Sequence, residues 1–286
     1  MYNYTLLEKF LFMPRRFNLT NLIKELDGKT VLITGASSGI GKELALLFGK
    51  ARVHLILVAR RQEELQRIGA EIEKGNASVS IFPADLRNEK DMGSLLAFLH
   101  GLPNGLDIVI NNAGLSINRP ILKSLGRYHD FIRTMAINYF APVQLLLSAI
   151  PLLAKKNGHI VNVSTINALL HPVPYWAAYQ ASKGAFDTWL RSAAPELNAS
   201  GISISTIYLP LVKTPMIAPT AAYLGKPAMS PVHVADLIGN AICRKRKVYK
   251  PWWLGLGQLA SLFFRTPLEV VVSRLVRKKE VGTDGE

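Results

Sequence analysis

Thiols are almost absent: Cys243 is the single cysteine in 286 residues, which excludes an internal disulfide and suits a reducing compartment. Acid is scarce as well. Twenty Asp and Glu stand against 34 Lys and Arg, a net charge of +14, and that balance favours anionic partners. No N-terminal stretch joins an apolar core to a small-residue cleavage site, so a cytoplasmic location is expected. The chain also has no internal repeat and no low-complexity linker. What it has is 49% hydrophobic residues, enough for one large core.

The charge is uneven. Residues 1–29 carry five cations and three anions, and residues 244–286 carry ten and four, so the two ends hold more than half of the positive excess. No nucleic-acid-binding motif or interleaved stacking aromatics accompany it, and no nucleic-acid partner is expected. Leu6, Leu7, Phe10 and Leu11 form an apolar stripe before Pro14, Arg15 and Arg16. Leu268, Val271, Val272, Leu275 and Val276 form another beside Arg274, Arg277, Lys278 and Lys279. Trp252–Phe264 carries no charge but is too short for the ~20 residues a membrane span needs. These basic amphipathic ends suit either an anionic membrane surface or closure of the core or of a subunit interface.

Between the ends the pattern alternates. Thr30–Thr34, Val53–Ala59, Ser78–Phe82, Leu106–Ile110, His159–Ser164 and Ile202–Tyr208 read as strands, with a short last one at Lys247–Lys250. Ile40–Lys50, Gln62–Lys74 and a stretch around Tyr175–Asn198 have helical spacing. Continuous apolar strands separated by helices predict a parallel sheet buried on both faces.

Thr34-Gly-Ala-Ser-Ser-Gly-Ile-Gly41 joins the first strand to the first helix of this core. A helix N-terminus offers free N–H groups to a pyrophosphate, and Gly35, Gly39 and Gly41 allow close approach, with Ser37, Ser38 and Ile40 in the same turn. At the end of the second strand, where an NAD site places an acid for the ribose, stand Arg60 and Arg61. Guanidinium groups suit a 2′-phosphate, so NADP(H) is the expected cofactor, and no metal is expected. The fold class is therefore a Rossmann-type doubly wound α/β sheet. Tyr179 and Lys183 lie four apart on a helix, one face presenting a phenol and an ammonium that can favour phenolate.

Together the glycine turn, Asn111-Asn-Ala-Gly114, Asn138 and Tyr179 with Lys183 resemble the short-chain dehydrogenase/reductase family over roughly residues 28–243. The resemblance implies that Asp85 and Leu86 flank the adenine and that Asn112, Ala113 and Gly114 support the cofactor. It implies that Asn138 anchors a water relay beside Lys183, and that Tyr179 is the proton donor. The usual hydroxyl thirteen residues before the tyrosine is replaced by Ile166. Thr165 or its neighbour Ser164 takes its place if the following loop is one residue longer. Pro210-Leu-Val-Lys-Thr214 is similar to the nicotinamide-holding segment, with Leu211 at a usual glycine and Val212 and Thr214 at the contacts.

Within the family, residues 111–119, 129–140 and 207–220 resemble bacterial aldehyde-forming fatty acyl-CoA reductases. That implies an acyl-CoA substrate, reduced to a hemithioacetal that collapses to aldehyde and CoA without an acyl-enzyme, which agrees with the want of thiols. Reduction or oxidation of a steroid, retinoid or other lipid carbonyl is a second reading, and a nucleotide-sensing scaffold a third. The expected layout is an extension at 1–27, a cofactor domain at 28–250 with a substrate lid near 211–229, and a tail at 251–286. The family is commonly oligomeric, so a homo-oligomer is expected.

Overall fold

Seven parallel strands form the spine of the computed structural model, which describes residues 3–14, 16–218, 220, 223 and 225–281. Strands β1 (Thr30–Thr34), β2 (His54–Ala59), β3 (Ser78–Pro83), β4 (Ile108–Asn111), β5 (His159–Thr165), β6 (Ser203–Leu209) and β7 (Val248–Tyr249) lie in the order 3-2-1-4-5-6-7. Helices α1 (Leu6–Leu11) and α2 (Leu19–Leu26) precede the sheet. The connecting helices are α3 (Gly39–Phe48), α4 (Gln62–Ile72), α5 (Glu89–His100), α6 (Tyr128–Met135), α7 (Ala141–Lys155), α8 (Ala177–Ala199) and α9 (Pro231–Arg244). Helices α10 (Leu254–Phe263) and α11 (Arg265–Val281) follow it.

Alternation along each strand splits the core into two layers. Val31, Ile33, Leu55, Leu57, Ile108, Ile110, Val161 and Val163 face α3, α4 and α9. Leu32, Ile56, Val58, Val109 and Ile160 face α5, α7 and α8. Both faces of the sheet are thus covered, which is why the strands read as unbroken apolar runs. Residues of the N-terminal extension pack on this core, one of the two roles open to it from the sequence. Leu22 and Leu26 of α2 are fully buried, each worth about 1.5–3 kcal/mol. Tyr4 and Phe12 join the same layer.

The strand order reverses between β1 and β4, and in such sheets a ligand crevice opens beyond the carboxyl ends of the strands at that point. Both motif loops leave the sheet there. One turn of π-helix, Ala136–Phe140, interrupts the path from α6 to α7 and carries Asn138. Residues 128–155 are together long and apolar enough to cross a membrane. Yet Leu145, Leu146, Ala149 and Leu153 lie buried in the second layer, as in a core helix.

Candidate active site

Gly35 and Gly39 adopt φ of +68° and +54°, a region that favours glycine. A Cβ on Gly41 would lie 2.3 Å from the carbonyl oxygen of Gly35, so α3 can start this close to the turn only without one. The corner is tied to β4. Thr34 Oγ1 donates to the Ile110 carbonyl and accepts the N–H groups of Asn112 and Ala113, while Asn112 Nδ2 donates to the Thr34 carbonyl at 2.9 Å. Ser38, the N-cap of α3, makes no side-chain cap bond, and the first turn of α3 lines a cavity of about 590 Å³. Space that side chains would fill, left open at the N-terminus of a helix, fits a dinucleotide pyrophosphate.

Gly35, Ser37, Ser38, Gly39 and Ile40 form one wall of this cavity, and Arg60, Arg61, Asp85 and Leu86 its far end. Arg61 reaches back over the turn, its Nη2 donating to Ser37 Oγ at 3.0 Å. Asp85 is engaged by Arg87, whose guanidinium lies 2.5 Å away and holds the carboxyl below its usual range. Arg87 also lines the cavity, and only its place two residues after Asp85 hinted at this. Asn112, Ala113 and Gly114 continue the wall. Asn111 turns into the core and bonds Asn162 instead.

At the other end β5 delivers Ser164 and Thr165, and α8 delivers Tyr179 and Lys183. Thr165 stands close enough to the Tyr179 phenol to act on its titration, and both side chains line the cavity. Burial pushes the phenol's pKa up, and the neighbouring Thr165 hydroxyl opposes the shift. Lys183 donates to the Val163 carbonyl at 3.3 Å, and burial lowers its pKa to about 8. In this geometry, then, burial keeps the phenol protonated, where the helical spacing alone pointed to phenolate.

Two residues expected at the site stand just behind its wall. Gly41 is consumed by its contact with Gly35. Asn138 accepts the Leu115 N–H and donates to the Leu115 carbonyl and Ser182 Oγ. A Cβ on Gly114 would meet Asn138 Oδ1 at 3.0 Å and Lys183 Nζ at 3.6 Å, so the glycine separates the two polar groups.

The remaining wall comes from Pro210, Leu211, Val212 and Thr214 and from Tyr223 and Lys226. Backbone bonds from Lys213 N to the Met229 carbonyl and from Met229 N to the Leu211 carbonyl close this segment at its base. Pro219, Ala221, Ala222 and Leu224, within the expected lid, lie outside the described residues. Tyr223 stacks on Trp176 with centroids 5.5 Å apart and planes at 18°. Gln180 was not anticipated. Its side chain donates to the Asn167 carbonyl and accepts from Val173 N, fixing the loop between β5 and α8. Cys243 packs against the first core layer, away from the residues lining the cavity, and burial raises its thiol pKa.

A doubly wound sheet with an open glycine corner and a Tyr–Lys pair in one crevice defines a nucleotide-dependent oxidoreductase class. The family profile described as short chain dehydrogenase matches residues 29–223, and the chain belongs to that family. It is 43% identical to a fatty acyl-CoA reductase of Acinetobacter baylyi over 242 residues, covering 84% of this chain and 81% of that one. It is 40% identical over 218 residues to a fatty acyl-CoA reductase of Mycobacterium tuberculosis, covering 76% and 74%. Among solved structures, a short-chain dehydrogenase from Sphingobium yanoikuyae in complex with NADPH superposes with a TM-score of 0.71. That pair is 26% identical, with coverage of 77% and 86%.

Proposed function

We propose that this oxidoreductase reduces long-chain fatty acyl-CoA to the aldehyde with NADPH. The observation that carries the reading is the meeting of Thr165, Tyr179 and Lys183 in the wall of one cavity. The two reductase relatives supply the substrate class.

NADPH, when bound, supplies a hydride to the carbonyl carbon. The corner Gly35–Gly41 receives the pyrophosphate on backbone N–H groups, and Arg60 and Arg61 meet the 2′-phosphate. Asp85 and Leu86 flank the adenine, Asn112–Gly114 the central stretch, and Pro210, Val212 and Thr214 the nicotinamide end. Tyr179 gives its proton to the carbonyl oxygen while Thr165, or Ser164 beside it, hydrogen-bonds the same oxygen. Lys183 binds the ribose and offsets the phenolate left behind. Asn138 and Ser182 hold the inner end of a proton relay. The hemithioacetal then breaks its C–S bond to give aldehyde and CoA thiol. No enzyme thiolate is needed, consistent with the position of Cys243.

The same reading includes a homo-oligomer. Tyr128, Ile132, Phe140 and Leu147 are exposed along α6 and α7, a face that such an assembly would cover.

The deciding experiment measures NADPH oxidation with palmitoyl-CoA, hexadecanal and a steroid ketone, with the product trapped and identified. Aldehyde and free CoA from palmitoyl-CoA are expected. Turnover of the ketone with an inert acyl-CoA would replace this reading by a steroid or other lipid-carbonyl dehydrogenase.

A further inference from the structure

The two ends of the chain meet. Phe10 stands edge-on to Trp252, centroids 5.2 Å apart with planes at 80°. The indole N–H groups of Trp252 and Trp253 donate to the carbonyls of Phe10 and Leu11 at 3.2 and 3.3 Å. Those carbonyls belong to the last turn of α1, where no helical donor remains. The start of α10 therefore caps the end of α1, and the pair forms one built surface.

Its outward side is apolar on both helices. Leu6, Leu7, Phe10 and Met13 are each more than half exposed, and so are Leu256, Leu259, Leu262 and Phe263. Leu6, Leu7 and Phe10 lie on α1 with Met13 just past its end, and Leu256, Leu259, Leu262 and Phe263 have the spacing of one face of α10. Helix α10 carries no charged side chain. Eight large apolar groups left in water at one place mark an interaction site rather than scattered surface residues.

The two chain ends that build this surface are basic. Lys9, Arg16, Lys250, Arg274 and Arg277 belong to the described parts of the two ends. Two of their acids are engaged: Glu8 is buried against Lys213 and the Ala228 N–H, and Glu269 lies 3.4 Å from His171. Two copies of this chain facing each other here would bring like charges together, whereas anionic headgroups complement them. At ten residues α10 is about 15 Å long, half the hydrocarbon thickness, so it suits lying in the interface plane rather than spanning.

The surface also borders the substrate end of the cavity. Helix α1 meets the base of the lid through Glu8 to Lys213, and Tyr4, just before the helix, accepts from Ser230 N. Helix α10 rests on the loop after β5: a Cβ on Gly257 would lie 3.2 Å from Leu170, and Ser261 Oγ accepts from His171 N. That loop supplies Ile166, Asn167 and Val173 to the cavity wall.

We infer that an anionic lipid bilayer docks on the joined face of α1 and α10, placing the mouth of the cavity at the membrane surface. The inference does not depend on which lipid carbonyl is reduced. It is tested with the full chain and phosphatidylcholine vesicles, with and without about one third phosphatidylglycerol. Sedimentation should show at least about tenfold stronger partitioning to the anionic vesicles, declining with added salt. A Leu6→Ser, Leu262→Ser, Phe263→Ser variant should lose about tenfold of that binding. Its NADPH affinity and its apparent mass in solution should be unchanged, which separates this surface from folding and from the cofactor site. Equal binding by variant and parent, or no binding to either vesicle, overturns the inference. So does a fall in apparent mass with vesicle binding retained, which would assign the face to a second copy.

Discussion

Glu8 and Lys213 face each other at 2.7 Å, linking the first helix of the chain to the segment proposed to hold the nicotinamide end. The carboxylate is 4% exposed and also accepts the Ala228 and Thr5 N–H groups. Burial raises its pKa, but these partners more than reverse that and hold it near 2. Lys213 remains nearly half exposed, so the pair is worth less than a fully buried one, and Glu8→Ala should cost about 2 kcal/mol. Because Lys213 sits between Val212 and Thr214, the substrate KM should also rise about threefold to tenfold. Glu8→Gln, which keeps an acceptor for Ala228, should recover part of the stability. A Glu8→Ala enzyme that melts lower with an unaltered KM would confine this contact to stability.

Of the two candidate hydroxyls, Thr165 is the one that acts on the Tyr179 phenol. Thr165→Val preserves shape and should lower kcat by about 100-fold, the cost of one donor to a developing oxyanion. Ser164→Ala should stay within about threefold. Tight NADPH binding must persist in both, checked by fluorescence titration. If Ser164→Ala carries the loss, the neighbouring hydroxyl is the one that meets the substrate.

The alternating core was legible because its strands are buried on both faces and its phosphate turn is punctuated by glycine. Five helices gave weaker signals. Helix α7 is apolar nearly all round and carries Pro151, so it shows no polar face to give it a period. Thr165 and Tyr179 were linked by a count along the chain, but which hydroxyl turns inward depends on how Gln180 folds the loop between them. The partnership of Arg87 with Asp85 and the burial of Glu8 were illegible for the same reason. The first is a two-residue pairing whose place at the cavity no spacing reveals, and the second depends on Lys213, far along the chain. The joining of residues 10 and 252 is the extreme case, spanning almost the whole chain.

Arg60 and Arg61 bear on cofactor choice. If both reach a 2′-phosphate, replacing both by alanine removes two charge-assisted contacts of about 1.5–3 kcal/mol each. The KM for NADPH should then rise at least about 100-fold, with that for NADH changed less than about threefold. Steady-state kinetics with the two cofactors measures this directly. Parallel loss with both would mean that Arg61 serves mainly to brace the turn through Ser37.

Acid should unfold the protein earlier than its carboxylates alone would dictate. His159 is 5% exposed, bonded to Ser205 Oγ at 2.8 Å and faced by the positive charges of Lys245 and Lys29. His233 is 1% exposed beneath Tyr4, whose hydroxyl meets its Nδ1. Burial lowers both to about 4, against about 6.5 in an unfolded chain. Between these values the unfolded chain binds more protons, so stability is full above about pH 6.5 and falls as pH drops toward 4. Each histidine contributes on the order of 3 kcal/mol to that fall. Glu8, held near 2, adds its own loss only below about pH 4.5. Urea unfolding at pH 7 and pH 5 should therefore show a marked drop, and His159→Gln, which can still bond Ser205, should flatten it. A variant as pH-sensitive as the parent would move the acid lability away from His159 and onto His233 or the carboxylates.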